Sequence, residues 1–170
     1  MVEMTIYGVS FDLVGKQPIV LLKTAEGNKF LPIWIGHPEA AAILMKLQGA
    51  TAPRPLTHDL LVNILSELDV EVLRVTVTEL RENTFHASIT MKQDGSEIEI
   101  DSRSSDAIAV AVRTQVPIYA ADAVIEESAI EFEGDEVNEE EIVDEFRRFL
   151  DRVSAEDFAE AEGEEGEERQ

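Results

Sequence analysis

The chain contains no cysteine, and this absence removes several kinds of chemistry at once. Disulfides, thiol nucleophiles and thiolate metal sites are all excluded. The longest nearly uninterrupted apolar run, Ala40–Met45, is far shorter than the roughly 20 residues of a membrane-spanning helix, so we expect no such span. The sequence also lacks a glycine-rich phosphate loop, a His-Glu-x-x-His metal signature and a Gly-x-Ser-x-Gly elbow, so the common enzyme motifs are missing.

Basic residues are scarce as well. Lys and Arg number 14 against 36 Asp and Glu, and the formal net charge is −22. Because duplex binding depends on many cations that neutralise phosphates, this balance argues against a broad nucleic-acid-binding surface and leaves room for a local basic pocket. Residues 131–170 hold 18 of the acids and 4 Arg. Adaptation of the protein to a cytoplasm of high salt concentration is a second explanation for this excess of acidic residues.

The length of 170 residues suits one ordinary domain with an appendage. We place the domain in residues 1–130, an acidic linker and amphipathic helix in residues 131–158, and a disordered acidic tail in residues 159–170. We expect the helix to dock on the same core or on a partner subunit through an apolar stripe of Ile142, Val143, Phe146, Phe149, Leu150 and Val153. Met1–Met4 lead into strand-like sequence without signal-peptide features, so we expect a cytoplasmic protein.

Apolar and alternating runs predict the strands. A meander is expected over residues 5–11, 18–23 and 29–35, and further strands over residues 70–80 and 85–91. The Asp94-Gly95 pair predicts a hairpin turn into a strand over residues 96–102. In that strand we expect Ile98 and Ile100 to face the core and Asp101 to face away from it. Residues 117–119 predict a further short strand.

Three helices are predicted among these strands. The first contains Pro38 in its first turn and ends before Gly49. The second is expected to have Thr57 as its cap and an apolar face of Leu60, Leu61, Ile64, Leu65 and Leu68. The third covers residues 103–113 and is apolar on nearly all sides, so it should be buried. The predicted strands are grouped in hairpins and do not alternate with helices as in βαβ units. The expected class is therefore α+β, with helices packed on a mainly antiparallel sheet.

Two polar clusters lie at the starts of the second and third helices. They are Arg54-Pro55-Leu56-Thr57-His58-Asp59 and Asp101-Ser102-Arg103-Ser104-Ser105-Asp106. A helix N-terminus offers unsatisfied N–H groups and a partial positive charge, so an adjacent arginine would complete a phosphate site.

Each residue of these clusters also has a structural interpretation. Asp59 and Asp106 in first helical turns complement the helix dipole. His58 is either a proton-transfer group or a solvated side chain at a helix start. Glu39 is either a dipole partner of the first helix or a site carboxylate. Two prolines fix the direction of Arg54, which suits a phosphate ligand, although a buried arginine that joins two elements would look the same.

Four segments, taken together, resemble the bifunctional nuclease family in their residues, order and spacing, over about residues 3–130. The segments are Leu31-Pro32-Ile33-Trp34-Ile35-Gly36, Glu39-Ala40, Arg54-Pro55-Leu56-Thr57-His58-Asp59-Leu60 and Asp101-Ser102-Arg103-Ser104-Ser105-Asp106-Ala107-Ile108-Ala109. The resemblance implies a compact α+β fold, a dimer or higher homo-oligomer, and nuclease activity on DNA and RNA. One residue departs from the family pattern, because Ser104 stands where proline is usual, and we expect a less preorganised helix start.

The preferred hypothesis is a phosphodiesterase-type nuclease that acts on single-stranded or short nucleic acids. His58 would transfer the proton, and phosphate or substrate would be held by Arg54, Arg103, Arg113, Ser105 and Asp101. Orienting His58, activating water or holding a hard ion such as Mg²⁺ are roles open to Glu39, Asp59, Asp101 and Asp106. The alternative is a non-catalytic oligomeric ligand-binding or regulatory module in which the same Arg and Asp residues form a structural network.

Overall fold

The computed structural model describes residues 1–12 and 16–131. In this part of the chain the elements follow the order β1 (Val2–Asp12), β2 (Gln17–Thr24), β3 (Lys29–Trp34), α1 (His37–Leu47), α2 (Thr57–Glu67), β4 (Glu71–Arg81), β5 (Thr84–Gln93), β6 (Ser96–Arg103), α3 (Ser104–Thr114), β7 (Ile118–Ala120), α4 (Asp122–Ser128) and β8 (Ile130–Glu131). The C-terminal amphipathic helix and acidic tail predicted from the sequence lie outside the described residues.

The strands form one sheet in the order β6-β5-β4-β7-β1-β2-β3-β8. All neighbouring strands are antiparallel except β4 and β7, which pair in parallel. The β1-β2-β3 and β4-β5-β6 meanders are therefore joined at the centre by the three residues of β7. The predicted α+β class with a mainly antiparallel sheet is confirmed.

The hairpin turns follow from residues that tolerate a left-handed backbone. Asp94 and Gly95 have φ values of 49° and 82°, as a tight turn between β5 and β6 requires. The predicted hairpin at this pair is confirmed. Glu82 and Asn83 adopt φ values of 51° and 57° between β4 and β5, although this turn carries no glycine.

The helices cover the sheet and bury most of their apolar residues, with the exception of α2. Helix α1 packs on β2, and α3 packs on β4 and β5 and contacts both α1 and α2. The α3 residues Ala107–Ala111 are at most 2% exposed, which confirms that this helix is buried. Its apolar surface on every side leaves only its two ends for polar contacts.

Two predicted apolar faces are exposed in this structure. On α2, Leu60, Ile64 and Leu68 are 53%, 46% and 59% exposed, because the helix rests mainly on α3 and not on the sheet. On β6, Ile98 and Ile100 pair with Met91 and Ile89 of β5 and share the face of these core residues, as predicted. They are nevertheless 38% and 45% exposed, so they are not buried. Strand β6 is the edge strand of the sheet, and alternation at an edge does not reveal whether a face is covered.

Further differences concern short elements. Helix α4 was not predicted by any pattern in the sequence, and residue 131, assigned to the linker, pairs with β3 through β8. Thr57 is the first helical residue of α2 and not its cap, since the capping position is Leu56. None of the helices in residues 1–12 and 16–131 has the length and apolar content to cross a membrane.

The effect of having serine in place of the usual proline at the start of α3 can be tested at Ser104. It is the first residue of α3, and it follows Arg103 in an extended conformation at the capping position. Proline is favoured at this position because its φ is already helical and its missing N–H has no helical partner. We expect Ser104→Pro to raise the free energy of unfolding by about 0.4–1 kcal/mol, measured by urea denaturation with Ser104→Ala as the control. A lower stability than that of the alanine variant would contradict this prediction.

Candidate active site at the starts of two helices

The first turn of α2 is held by its own aspartate. Leu56, at the capping position, donates its backbone N–H to Asp59 Oδ2 over 2.9 Å. This bond satisfies a donor that would otherwise be unpaired at the helix start. It also fixes the turn that carries His58, whose side chain is only 11% exposed.

The start of α3 is built around Arg103 and Asp106. Arg103 is the last residue of β6 and the capping residue of α3, and Asp106 lies one helical turn later. Arg103 donates from Nε to Asp106 Oδ2 over 2.8 Å and from Nη2 to Asp106 Oδ1 over 3.1 Å. Such a two-bond pair fixes the plane of the guanidinium as well as its position. The Arg103 side chain is 64% exposed, so it remains open to a ligand.

Asp106 also joins the two helix starts. Its Oδ1 lies 2.9 Å from His58 Nε2, across 48 residues of sequence. Burial by itself raises the pKa of Asp106, but the hydrogen bonds from Arg103 and His58 outweigh it, so this pKa lies below its usual value. The carboxylate is therefore ionised and can only accept, so His58 Nε2 carries the hydrogen of this bond.

Glu39 of α1 is the third acidic neighbour of this site. Its Oε1 accepts a hydrogen bond from Arg103 Nη2 over 2.8 Å, and its side chain is 13% exposed. The hydrogen bonds to Asp106 and Glu39 raise the pKa of Arg103 above its usual value. Gly36 permits this position, since a Cβ there would collide with the Glu39 carboxylate. The sequence analysis did not assign this role to Gly36, although the sequence shows that Gly36 precedes Glu39 by three residues.

These residues surround an open cleft of about 860 Å³. Its charged and titratable lining consists of Glu39, His58, Asp101, Arg103 and Asp106. The apolar lining includes Met45, Leu56, Leu61, Ile89 and Ile100. With three carboxylates against one arginine, the cleft is negative when His58 is neutral.

A second ion pair lies behind the cleft and ties three helices together. Arg113 of α3 donates from Nε to Asp59 Oδ1 over 2.7 Å, and its terminal nitrogens donate to the carbonyl oxygens of Ala109 and Ala42 over 3.0 and 3.2 Å. Its side chain is only 5% exposed. The backbone N–H of Leu56 and the guanidinium of Arg113 hold the pKa of Asp59 below its usual value.

The predicted site residues thus divide into three groups. The structure brings Glu39, His58, Asp101, Arg103 and Asp106 to one cleft. It places Asp59 and Arg113 in the ion pair between helices, and Ser105 is buried in the first turn of α3. Arg54 is exposed and lines a neighbouring pocket. The chemical roles given to these residues stay predictions.

The carboxylates of the cleft do not form a metal site. Glu39 and Asp106 both accept hydrogen bonds from Arg103, which occupies the position between them. Across residues 1–12 and 16–131, no group of three or more His, Asp or Glu side chains is arranged to hold a metal ion. The arrangement therefore does not fit the Mg²⁺ role considered from the sequence, and we derive no step through a metal.

Several known proteins are similar to this chain. A profile of the bifunctional nuclease domain matches residues 20–133. An uncharacterized protein of Mycobacterium tuberculosis (strain H37Rv) is 40% identical over 163 residues, which cover 92% of this chain and 97% of that protein. Bifunctional nuclease 1 of Oryza sativa subsp. japonica is 27% identical over 103 residues, or 58% of this chain and 31% of the plant protein. Bifunctional nuclease 1 of Arabidopsis thaliana is 27% identical over 105 residues, covering 59% and 32%.

The matched profile, which covers residues 20–133, defines the class of the protein. The chain belongs to the bifunctional nuclease domain family. The resemblance found in its sequence motifs is therefore confirmed.

The ion pair between Asp59 and Arg113 predicts a pH-dependent loss of stability. Because the pKa of Asp59 is lowered on folding, its contribution is fully present above about pH 4 and is lost as the pH falls through the folded value. We expect Asp59→Asn to lower the free energy of unfolding at pH 7 by about 2 kcal/mol, since it leaves a buried guanidinium without its anion. Urea unfolding at pH 7 and at pH 3 would measure both effects, and the variant should lose less stability on acidification than the wild type.

Proposed function

We propose that this protein is a nuclease that hydrolyses phosphodiester bonds of DNA, RNA or both in the cleft between α1, α2 and α3. The observation that carries the proposal is the continuous set of hydrogen bonds from His58 through Asp106 to Arg103. It joins a proton-transfer group, an orienting carboxylate and a phosphate-binding cation at one cleft. Membership of the family and the plant nucleases that the chain resembles support the same function.

His58 acts as the general base in this proposal. Asp106 holds the hydrogen on Nε2, so the lone pair on Nδ1 of the neutral imidazole accepts a proton from the water that attacks phosphorus. The bond from phosphorus to the leaving oxygen breaks, and that oxygen takes a proton from solvent. The same carboxylate stabilises the imidazolium that forms, because opposite charges lie within hydrogen-bond distance. A group set in this way contributes roughly 10²- to 10⁴-fold to a rate.

Arg103 holds the phosphate. Its Nε and Nη2 bind Asp106 and Glu39, whereas Nη1 donates to no residue within the described part of the chain. Nη1 therefore keeps two N–H groups for a phosphate oxygen at a side chain that is largely exposed. A guanidinium already fixed by two carboxylates needs little reorganisation to stabilise the negative charge that develops during transfer.

The substrate in this proposal is a single strand or a short fragment. The negative net charge argues against a long duplex, which presents phosphates over a wide surface. The apolar side chains of Met45, Leu61 and Ile100 in the cleft offer contacts for an unpaired base.

A non-catalytic ligand-binding module is the second candidate function. The observation that favours it is the excess of carboxylates around Arg103, since an arginine paired with two acids can also be a structural element. The two candidates differ in what removal of His58 does. An enzyme loses turnover and keeps its fold, whereas a structural network loses stability or assembly.

The test compares the wild type with His58→Gln and Asp106→Asn on labelled single-stranded RNA and DNA and on bis(p-nitrophenyl) phosphate. We expect each variant to lose at least about 10²-fold in rate while circular dichroism shows an intact fold. His86→Gln is the matched control, because this histidine lies on β5 outside the cleft. Equal rates in all four proteins would point to contamination, and no cleavage by the wild type would favour the binding module.

We further propose that the protein is a homo-oligomer, with a dimer favoured, which associates through the exposed apolar side of α2. Leu60 and Ile64 lie one turn apart on this side, and both are about half exposed. Monomers rarely leave such a stripe in water. The edge strand β6 adds two exposed isoleucines, Ile98 and Ile100.

Charged residues on this stripe should separate the subunits. We expect the double variant Leu60→Glu/Ile64→Glu to be a monomer in sedimentation velocity, because each added charge would be desolvated at the interface. Asn63→Glu/Ser66→Glu adds the same charge to exposed polar positions of α2 and should leave the assembly unchanged. Identical sedimentation of both double variants would contradict this interface.

A further inference from the structure

A second pocket of about 280 Å³ lies next to the cleft. It is formed by the end of α1, the loop before α2 and the first turn of α2. Its charged lining residues are Lys46, Arg54, Asp59 and Arg113. Three cations against one carboxylate make this pocket positive, in contrast to the acidic protein around it and to the negative cleft beside it.

The Lys46 and Arg54 side chains have unused donors at the surface, whereas the Arg113 side chain is only 5% exposed and already uses three of its five N–H groups. Within residues 1–12 and 16–131, the side chains of Lys46 and Arg54 form no hydrogen bond or ion pair, although the Lys46 carbonyl oxygen accepts from the Gly49 N–H at the end of α1. The charge of Lys46 nevertheless reaches into the pocket, because it contributes to the lowered pKa of Asp59. Pro53 and Pro55 flank Arg54 and restrict the backbone from which its side chain extends.

The pocket and the cleft are adjacent and share part of their lining. Met45 and Leu56 line both of them, and the start of α2 separates His58 on one side from Asp59 on the other. Glu39 and Lys46 are seven residues apart on α1, which places them on one helical face about 10 Å apart along the axis. Because Arg103 is bonded to Glu39 at one end of this separation, successive phosphates of a strand suit the two positions better than a single phosphate does.

We propose that Lys46 and Arg54 form a second phosphate subsite, which holds a neighbouring phosphate of a single-stranded nucleic acid whose scissile phosphate lies at Arg103. This inference rests on the proposed nuclease function and specifies its substrate class. Leu56, at the start of α2, lines both the pocket and the cleft, so a strand held at the two positions passes this helix start. The subsite provides local positive charge for binding nucleic acid on a protein that is acidic as a whole.

The experiment measures binding of a short fluorescent oligouridylate by anisotropy over a range of salt concentrations, with the oligonucleotide checked to be intact afterwards. The proteins are the wild type, Lys46→Gln/Arg54→Gln and the charge-preserving Lys46→Arg/Arg54→Lys. The matched control is Arg81→Gln/Lys92→Gln, which removes two exposed cations that line neither pocket. All four positions are exposed, so circular dichroism should show the same fold throughout.

We expect Lys46→Gln/Arg54→Gln to lose about tenfold in affinity at low salt, and the slope of log K against log salt to become shallower by about 0.7, the value for one phosphate of a single strand. The charge-preserving variant and the control should bind within about twofold of the wild type. Uridine monophosphate, with one phosphate, should compete weakly. No loss in the glutamine variant, an equal loss in the control, or no binding by the wild type would overturn the subsite.

Hydrolysis of bis(p-nitrophenyl) phosphate tests the proposed nuclease activity independently of the proposed subsite. That substrate has one phosphate, so its cleavage and its dependence on His58 test only the proposed function. If it is not cleaved but the oligonucleotide still requires Lys46 and Arg54, the nuclease proposal fails and a binding subsite remains. If it is cleaved through His58 while the glutamine variant binds oligonucleotide like the wild type, the subsite fails and the nuclease remains.

Discussion

The carboxylate of Asp106 is the group on which the arrangement of the site depends. It accepts from His58 through one oxygen and from Arg103 through both, so a single side chain sets the positions of an imidazole and a guanidinium. Burial alone would favour its neutral form, and the two donors keep it charged. Because His58 comes from α2 and Arg103 from the junction of β6 and α3, the site exists only when these elements are packed together.

The two ion-pair networks of α3 have different functions in this arrangement. At one end of the helix, Arg103 is exposed and keeps a terminal nitrogen available to ligands. At the other end, Arg113 is buried and bonded to Asp59 and to two carbonyl oxygens, so it holds α1, α2 and α3 at fixed distances. An exposed arginine and a buried ion pair thus lie at opposite ends of one apolar helix. Asp59 and His58 are adjacent in the sequence, yet each belongs to a different network.

Local patterns in the sequence predicted the class of the fold and most elements, because hairpin turns and apolar periodicity are short-range signals. Both polar clusters, Arg54-to-Asp59 and Asp101-to-Asp106, were visible in the sequence, and five of the nine candidate residues line one cleft. Spacing could not show that Arg113 pairs with Asp59, because the partners are 54 residues apart. It could not show that Ile98 and Ile100 lie on an uncovered edge strand, since the order of strands is a tertiary property. Lys46 carried no local motif at all.

The position of β7 has a consequence for the order of folding. Its three residues pair with β4 on one side and with Val2–Met4 of β1 on the other, so the centre of the sheet requires contacts between residues more than 110 positions apart. Closing such long loops is unfavourable until many contacts form together. During synthesis, the two meanders therefore have no shared strand until residue 120 has left the ribosome. The cleft, which needs α1 from beside the first meander and β6 from the second, forms late in folding and as a cooperative unit.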